Sequence, residues 1–178
     1  MDNNRNLKMR FLPLTLSLAV ILLDQLTKLW VVCNIPAGTI YTSFFGDFFR
    51  VVHVTNLGAA FSIGNDLSGT WRFISLCIIP FIVLIAILVV LLVTKELNQK
   101  QRWFVAGILG GGFGNLIDRF FRPDGVVDFI DIKFYGLFGL ERWPTFNIAD
   151  SAVLVFGIAL LLSLVFSVSP EKTAKESL

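Results

Sequence analysis

Residues 125–150 read GVVDFIDIKFYGLFGLERWPTFNIAD, and this stretch decides how the rest of the chain is interpreted. It lies between two long apolar segments, so both of its ends should lie on the same side of a membrane. Side chains alternate between two faces along an extended chain, and Asp128 would then share its face with apolar residues: Val126, Ile130, Ile132 and Phe134. Asp150 directly precedes a run of mostly apolar residues. The stretch therefore predicts two carboxylates that meet at one membrane interface.

The composition indicates an integral membrane protein. Of the 178 residues, 55% are hydrophobic and only 16% are charged, whereas about a quarter of a soluble domain is charged. The 18 phenylalanines and 4 tryptophans suit a lipid-facing and interfacial surface. A net charge of +2 is too small to indicate nucleic-acid binding. We therefore predict an α-helical polytopic membrane protein formed by a single domain, residues 1–178.

Four segments are long and apolar enough to cross a membrane, which takes about 20 helical residues. They are residues 11–32, 70–94, 103–121 and 147–168. The first contains Asp24 and Lys28, and no small-residue cleavage site follows it, so we interpret it as an uncleaved helix rather than a signal peptide. Pro80 should kink the second helix, and a polar turn, residues 95–102, should join it to the third.

The segment between the first two spans, residues 33–69, should form a small extracytoplasmic β-rich element. Residues 45–55 are rich in aromatic and β-branched side chains, which favour strands, and we place these strands on the membrane surface. His53 has no partner for a metal site and is interpreted as a strand residue. Cys33 and Cys77 are interpreted as buried apolar thiols, but their predicted position near one membrane face leaves a disulfide open.

Basic residues set the predicted orientation. Four spans place both chain ends on one side, and cytoplasmic segments of membrane proteins are enriched in lysine and arginine. On the side of the chain ends, short segments carry Arg5, Lys8, Arg10, Lys95, Lys100, Arg102, Lys172 and Lys175. On the other side, much longer loops carry Arg50, Arg72, Arg119, Arg122, Lys133 and Arg142. The density of basic residues predicts cytoplasmic chain ends and an outward-facing 125–150 stretch.

Two of the spans carry polar residues, and for each set both a structural role and a chemical role are possible. Asp24 and Lys28 lie four residues apart on one helix face and can pair. The structural interpretation, an ion pair that orients the first helix, is the favoured one, and a direct chemical role is the alternative. In the third span, small residues at helical spacing predict close helix packing: Gly107, Gly111 and Gly114, followed by Asp118. Asn115, Asp118 and Arg119 would then point toward the 125–150 stretch, as supports of a site or as an interfacial Asp–Arg pair.

Each residue of the candidate site also has a structural interpretation. Asn147 could cap the fourth helix, Asp150 could be an acidic first-turn residue favoured by the helix dipole, and Asp128 alone could be a solvated loop aspartate. The sequence offers no Ser–His or Cys–His pair, P-loop or metal cluster as an alternative. Two aspartates that share a proton can hydrolyse a peptide bond, because the ionised one activates water while the protonated one donates to the carbonyl.

Five segments occur in one order along the chain: LDQLTK (23–28), NLGAAF (56–61), GGGFGNLIDR (110–119), VVDFID (126–131) and FNIADSA (146–152). Each is a weak signal alone. Together they cover essentially the whole chain and resemble the bacterial lipoprotein signal peptidase family, also called signal peptidase II. The resemblance implies an aspartic endopeptidase of the bacterial inner membrane. Such an enzyme removes the signal peptide from prolipoproteins, just before the cysteine that carries a diacylglyceryl group.

The resemblance also assigns residues. It implies that Asp128 and Asp150 are the catalytic aspartates and that seven others support the site or bind substrate: Asn56, Gly58, Asn115, Arg119, Asn147, Asp24 and Lys28. It implies a monomer in membrane lipid that needs no metal or cofactor and that a substrate mimic of the globomycin type inhibits. Residues 133–142 form a longer loop than is usual for the family, which puts the loop shape and substrate preference in doubt.

Two interpretations outside the resemblance remain open at this point. A small proton or cation transporter could use the acidic residues of the spans: Asp24, Asp118 and Asp150. A non-enzymatic membrane scaffold is the other. For the peptidase, residues 45–61 and 134–143 are candidates to cover the site from water.

Overall fold

In a computed structural model, the structure describes residues 9–58 and 69–167. Within these ranges, three helices are long and apolar enough to cross a membrane: Met9–Asn34, Gly69–Val93 and Ile148–Phe166. They accompany a small antiparallel sheet of three strands. The predicted helical membrane protein with a small β-rich element is thereby confirmed in outline. Residues 59–61 of the second motif lie outside the described residues, as do four of the basic residues near the chain ends: Arg5, Lys8, Lys172 and Lys175.

Four helices form the body of the protein: α1 (Leu14–Asn34), α2 (Gly69–Val93), α3 (Gln99–Phe121) and α4 (Ile148–Ser167). The predicted third span corresponds to α3, which is not among the three apolar helices because glycines and polar residues interrupt it. The count of four spans therefore stays a prediction. Helix α3 begins at Gln99, before the predicted start, because the side chains of Asn98 and Gln101 each accept the other's backbone N–H in a capping box.

Helix α3 is the central helix, and its glycines let the other helices approach it closely. A Cβ at Gly110 would lie 2.8 Å from Val20 of α1, and one at Gly112 would lie 2.5 Å from Leu84 of α2. Gly107 and Gly111 face α4, where Phe156 and the Ala149 carbonyl occupy the space of a side chain. The predicted packing of the glycine stripe is confirmed, and it extends to three sides of α3.

Helix α2 departs from regular α-helical geometry just before Pro80, and the predicted kink at this proline stays a prediction. A five-residue π-helical segment, Ile74–Ile78, precedes the proline, and such segments accommodate a break in the α-helical hydrogen-bond ladder. Proline has no N–H to offer the carbonyl four residues earlier, which is that of Leu76. Arg119 of α3 donates from Nη1 to this carbonyl at 3.0 Å. The Arg119 side chain thus supplies the Leu76 carbonyl with a donor that Pro80 cannot provide.

The sheet has the order β1–β2–β3, with β1 at Ile40–Phe44, β2 at Phe49–Asn56 and β3 at Val126–Ile132. The four residues between β1 and β2 form a turn, so the predicted strand region 45–55 is interrupted there. Strand β3 packs Val127 and Phe129 against the end of α1. Asp128 itself is 2% exposed and accepts hydrogen bonds from side-chain amides. The prediction that Asp128 lies among apolar groups only is wrong. The alternation of side chains along one strand does not reveal which residues of other elements pack against it.

The single histidine and the two cysteines were also assigned positions from the sequence. His53 lies in β2, as predicted, and its Nδ1 is 2.6 Å from the Ile35 carbonyl oxygen. Cys33 and Cys77 are both free. Cys77 is buried as predicted, but Cys33 is exposed, because its side of α1 faces away from the bundle.

Candidate active site

Asp128 and Asp150 lie on different elements and meet at Asn147. Asp128 is on β3, and Asp150 is in the first turn of α4. Asn147 donates from Nδ2 to Asp128 Oδ1 at 2.7 Å and accepts the Asp150 backbone N–H on Oδ1 at 2.9 Å. One buried side chain therefore contacts both residues that the sequence singled out. The structure brings them together at the start of α4.

The structural interpretation of Asn147 and Asp150 as helix-capping residues is also confirmed. Asp150 Oδ2 accepts the Asn147 backbone N–H at 3.2 Å, which completes a reciprocal box with the Asn147 side chain. The positive end of the helix dipole favours a carboxylate in this turn. Capping and chemistry are compatible here, because Asp150 Oδ1 remains directed away from the helix, toward Asn115.

Three asparagines surround the two carboxyl groups, and a donor fixes the orientation of each amide. Asn56 accepts the Gly58 N–H at 2.9 Å, Asn115 accepts from Lys28 Nζ at 2.9 Å, and Asn147 accepts from the Asp150 backbone. Because each side-chain oxygen is held by a donor, each NH₂ group must point the other way.

The NH₂ groups of these asparagines point toward the aspartates. Asn115 donates to Asp150 Oδ1 at 2.7 Å, and Asn147 donates to Asp128 Oδ1 at 2.7 Å. Asn56 donates to Asp128 Oδ2 over a longer distance, 3.4 Å. Neutral amides thus satisfy the two carboxyl groups, and among the described residues neither aspartate forms an ion pair.

A second polar cluster lies beside the first and has a different composition. Lys28 Nζ is 2.8 Å from Asp24 Oδ2 and 2.9 Å from Asp118 Oδ2, and all three side chains are fully buried. Arg122 pairs with the other oxygen of Asp118 at 3.0 Å. The favoured interpretation of Asp24 and Lys28 as a structural ion pair is supported. The predicted pairing of Asp118 with Arg119 is wrong, because Lys28 and Arg122 occupy both Asp118 oxygens.

This ionic cluster is connected to the carboxyl pair by two short routes. Lys28 binds the oxygen of Asn115, whose NH₂ group binds Asp150. Asp24 Oδ1 accepts the Ala149 backbone N–H in the first turn of α4 at 2.9 Å. Lys28 and Asp24 therefore hold the turn that carries Asp150, without themselves contacting either carboxyl group of the pair.

Arg119 and Gly58 connect the sheet to α2. Besides its bond to Leu76, Arg119 donates from Nη2 to the Gly58 carbonyl at 3.1 Å. The Gly58 carbonyl thus binds Arg119 while the Gly58 N–H binds the Asn56 side chain. These two bonds fix the position of Asn56 as well as that of Gly58. A cavity of about 220 Å³ opens beside Asn56 and Arg119, so the amide that contacts Asp128 lines a space that another molecule could enter.

The environment of Asp128 changes its acidity. Burial, and next to it the charge of the neighbouring Asp150, raise the pKa of Asp128 to about 7, although hydrogen bonds from Asn147 and Asn56 act in the opposite direction. Near neutral pH, Asp128 can therefore carry a proton. Within the described residues, no group of three or more His, Cys, Asp or Glu side chains could hold a metal ion.

Comparison with known proteins identifies the relatives of this chain. The family model described as signal peptidase (SPase) II matches residues 16–166. The chain belongs to the signal peptidase II family. It is 48% identical over 172 residues to the lipoprotein signal peptidase of Treponema denticola, covering 97% of this chain and 99% of that protein. It is 48% identical over 158 residues to that of Treponema pallidum, with 89% and 85% covered.

Further relatives support the same assignment. The lipoprotein signal peptidase of Borrelia turicatae is 51% identical over 143 residues, 80% of this chain and 82% of that protein. Two solved structures described as bacterial membrane enzymes, at 2.3 and 1.9 Å resolution, are each 30% identical. They superpose on this chain with TM-scores of 0.73 and 0.69. The superposition includes 88% and 85% of this chain, and 89% and 91% of the respective solved chains. The chain thus shares its fold with bacterial membrane enzymes of known structure.

Some residues of this family member escaped prediction. Gln25 donates from Nε2 to Asp24, to the Gly114 carbonyl and to Asp118, at 3.0–3.2 Å, yet an amide inside a span gave no specific signal. Asp118 was treated as a neighbour of Arg119 rather than as the second partner of Lys28. The signal available was charge balance, because a buried lysine next to a single aspartate leaves a second intramembrane aspartate without a cation.

The loop at residues 133–142, predicted to be longer than is usual for the family, packs against the β1–β2 turn. The Lys133 backbone N–H donates to the Phe48 carbonyl at 2.8 Å, and the Tyr135 ring stacks on Phe48. In the β2–β3 register, Asp128 pairs with Val54 and Ile132 pairs with Phe49. The loop therefore starts at the opposite end of β3 from Asp128. Its predicted role as a cover stays a prediction, as does that of residues 45–61, of which 59–61 are not described.

Proposed function

We propose that the chain is an aspartic endopeptidase of the bacterial inner membrane. It removes the signal peptide from diacylglyceryl-modified prolipoproteins and cleaves just before the lipidated cysteine. Membership in the signal peptidase II family supports this reaction. The observation that carries the mechanism is that Asn147 contacts both Asp128 and Asp150 while only neutral amides satisfy their carboxyl oxygens.

In the proposed reaction, Asp150 is the base and Asp128 the acid. The ionised Asp150 takes a proton from water, and the resulting hydroxide attacks the carbonyl carbon before the lipidated cysteine. The protonated Asp128 donates to the carbonyl oxygen. Its proton fits on Oδ2, whose contact with Asn56 is the longer one at 3.4 Å. Collapse of the tetrahedral intermediate breaks the C–N bond, a proton passes to the departing cysteine amine, and the signal peptide leaves with a new carboxylate.

Seven residues support this pair in the proposed mechanism. Asn147 and Asn115 hold the two carboxyl groups at fixed positions, and Asn56 adds a donor that can be given up to substrate. Gly58 and Arg119 hold Asn56 beside the cavity. Asp24 and Lys28 position the first turn of α4 and the amide of Asn115. These last two are positioning residues rather than catalytic ones.

The proposal includes a topology. We place all four helices across the membrane, α3 as well as the three apolar ones, with both chain ends in the cytoplasm and the carboxyl pair at the outer face. The polar side chains of α3 suit this placement, because Asp118 is buried inside the bundle rather than facing lipid. The proposed form is a monomer in membrane lipid, and a globomycin-type substrate mimic would compete for the cavity beside Asn56.

The transporter interpretation is less well supported. A proton path requires carboxyl groups that can release and regain protons at several depths. Asp24 and Asp118 instead each form an ion pair with Lys28 within 3 Å, so the same ammonium group holds both carboxyl groups in place. Asp128 and Asp150 have no cation at ion-pair distance among the described residues, and both lie at one place, the junction of β3 and α4.

The test is cleavage of a lipidated prolipoprotein by purified Asp128→Asn and Asp150→Asn. Each change removes a carboxyl group from the acid–base pair, so we expect the rate to fall by about 10²–10⁴-fold or more, with an unfolding temperature close to that of the parent. Asp124→Asn alters an exposed aspartate in the same segment and should leave the rate unchanged. Substantial cleavage by either of the first two variants would refute the aspartic mechanism.

A further inference from the structure

Exposed aromatic side chains are concentrated where the sheet is farthest from the carboxyl pair. They belong to the end of β1, the β1–β2 turn and the 133–142 loop. Together with the exposed Leu137 they form what we call the aromatic tip: Phe44, Phe45, Phe48, Tyr135, Leu137 and Phe138. Phe45 is 85% exposed and Phe138 is 81% exposed. All six lie outside the membrane-spanning helices. We propose that the aromatic tip inserts into the lipid interface of the membrane that holds the helices, and so anchors the far end of the sheet.

Backbone conformation at the tip directs these rings outward. Among the described residues, the four non-glycine positions with positive φ are Phe45, Asp47, Tyr135 and Phe138, and all four lie in these two turns. Bulky residues rarely adopt this conformation, because it is sterically unfavourable for them. An outward-facing phenylalanine gains nothing from the protein core in return. Contact with an apolar phase outside the protein supplies the missing stabilisation.

The two turns form one unit. The rings of Phe48 and Tyr135 stack with centroids 6.4 Å apart and planes inclined by 12°. Arg142 of the loop contacts Asp131 at 2.7 Å and Asp47 of the β1–β2 turn at 3.4 Å. The aromatic tip is therefore held together by a stack on one side and by ion pairs on the other, and it can enter an interface as a single surface.

The charges around the tip are compatible with a lipid interface. Each charged side chain of the two turns has an ion-pair partner: Asp47 with Arg50, Asp131 with Arg142, and Lys133 with Glu141. Inserting the rings beside these residues therefore does not strip water from an uncompensated charge. Aromatic side chains flanked by basic residues are typical of segments that lie in the membrane interface.

The tip is also continuous with the lipid-facing surface of the helices. Trp30, in the last turns of α1, contacts Tyr41 of β1 edge to face, with centroids 5.5 Å apart, and both are exposed. Exposed apolar side chains continue from Tyr41 to Phe44 and Phe45. The strand register places Ile132 four residues beyond Asp128, roughly 13 Å at 3.3 Å per residue. The tip is thus adjacent to lipid and away from the scissile bond.

The test measures the surroundings of position 138 in lipid vesicles. Phe138→Cys and Glu141→Cys are made in a Cys33→Ser background, labelled with an environment-sensitive nitrobenzoxadiazole probe and reconstituted in phosphatidylethanolamine–phosphatidylglycerol vesicles. The background protein alone reports labelling of the buried Cys77. Glu141, whose side chain is 71% exposed, is the matched control on the charged side of the same loop.

We expect blue-shifted emission at position 138, quenching by doxyl-labelled phosphatidylcholine several-fold stronger than at position 141, and protection from aqueous iodide. Phe45→Cys provides an independent reading from the other turn, should Phe138→Cys fail to fold. Equal iodide quenching at positions 138 and 141 would overturn the proposal. Protection from iodide without quenching by the labelled lipid would also overturn it, because a second copy or another protein would then cover the tip.

Discussion

Two polar clusters lie side by side in this protein. Each contains two aspartates, but the partners of the aspartates differ between the clusters. In the ionic cluster, Asp24 and Asp118 share the ammonium of Lys28. In the carboxyl pair, Asp128 and Asp150 are satisfied by asparagine amides, with no cation at ion-pair distance among the described residues. Both clusters lie against the first turn of α4, and they differ in the partners of their carboxyl groups.

The comparison explains why one cluster can be structural and the other reactive. A buried carboxyl group paired with a cation holds together the elements it joins, and removal of its partner is strongly destabilising. Two neighbouring carboxyl groups without a cation, one of them buried, do not both ionise readily, so one retains a proton. The raised pKa of Asp128, due to burial and then to Asp150, follows from this arrangement.

The largest expected effect comes from removing the shared cation. Lys28→Met leaves Asp24 and Asp118 buried without their common partner, and we expect a loss of about 3–5 kcal/mol in the free energy of unfolding. Lys133→Met removes a partly exposed lysine that pairs with Glu141 at 3.6 Å, and should cost about 0–1 kcal/mol. Denaturant titration in detergent measures both. Equal costs for the two lysines would remove the distinction between a structural cluster and an ordinary ion pair.

A smaller effect should follow from cutting the connection between the clusters. Asn115→Ala removes the donor to Asp150 Oδ1, a hydrogen bond to a charged group worth about 1.5–3 kcal/mol. We expect kcat for prolipoprotein cleavage to fall by about 10–100-fold with little change in KM. Ser151→Ala is the control, because the Asn147 carbonyl that its hydroxyl contacts also accepts the Ser151 backbone N–H. A rise in KM alone would mean that Asn115 binds substrate instead.

The smallest expected effect tests how closely the clusters must pack. A Cβ at Gly114 would lie 2.8 Å from Asp24 Oδ2 and 3.2 Å from the Ala149 Cβ. We expect Gly114→Ala to lower the free energy of unfolding by about 1–3 kcal/mol and to reduce activity by displacing the first turn of α4. Gly157→Ala, in α4 with open space around it, should be neutral or stabilising. An equal loss of stability in Gly157→Ala would show that the effect at Gly114 does not come from its close contacts with Asp24 and Ala149.

Local features of this fold could be predicted from the sequence, and tertiary ones could not. Apolar runs located the helices, and the spacing of Asn147 and Asp150 indicated a helix start that the structure contains. The contact of Lys28 with Asp118 joins residues 90 positions apart, and no local pattern encodes it. Asp128 was placed among apolar groups, because alternation along β3 says nothing of the asparagines that two other segments bring to it.

The resemblance to signal peptidase II supplied what local patterns lacked. It selected Asn56, Asn115 and Asn147 from many polar residues, and the structure places all three amides on the two aspartates. It did not show which atom each amide presents. That follows only from the donors at Gly58, Lys28 and Asp150, which hold the oxygens and leave the NH₂ groups for the carboxyl groups.

The pH dependence has a defined sign. The pKa of Asp128 rises from 3.8 to about 7 on folding, so the folded state retains a proton that the unfolded state releases. Rising pH between about 4 and 7 therefore lowers the stability contributed by this group, and above the folded pKa its contribution is constant. Activity should fall as pH rises through about 7, because the proposed acid ionises.

Infrared difference spectroscopy of the reconstituted protein tests the central claim most directly, by following the carbonyl band of a protonated carboxyl group as a function of pH. We predict a band that titrates with a midpoint near 7, is absent in Asp128→Asn, and titrates at lower pH in Asp150→Asn, where the neighbouring charge is gone. Retention of the band in Asp128→Asn, or a midpoint near the ordinary aspartate value of 3.8 in the parent, would contradict the account.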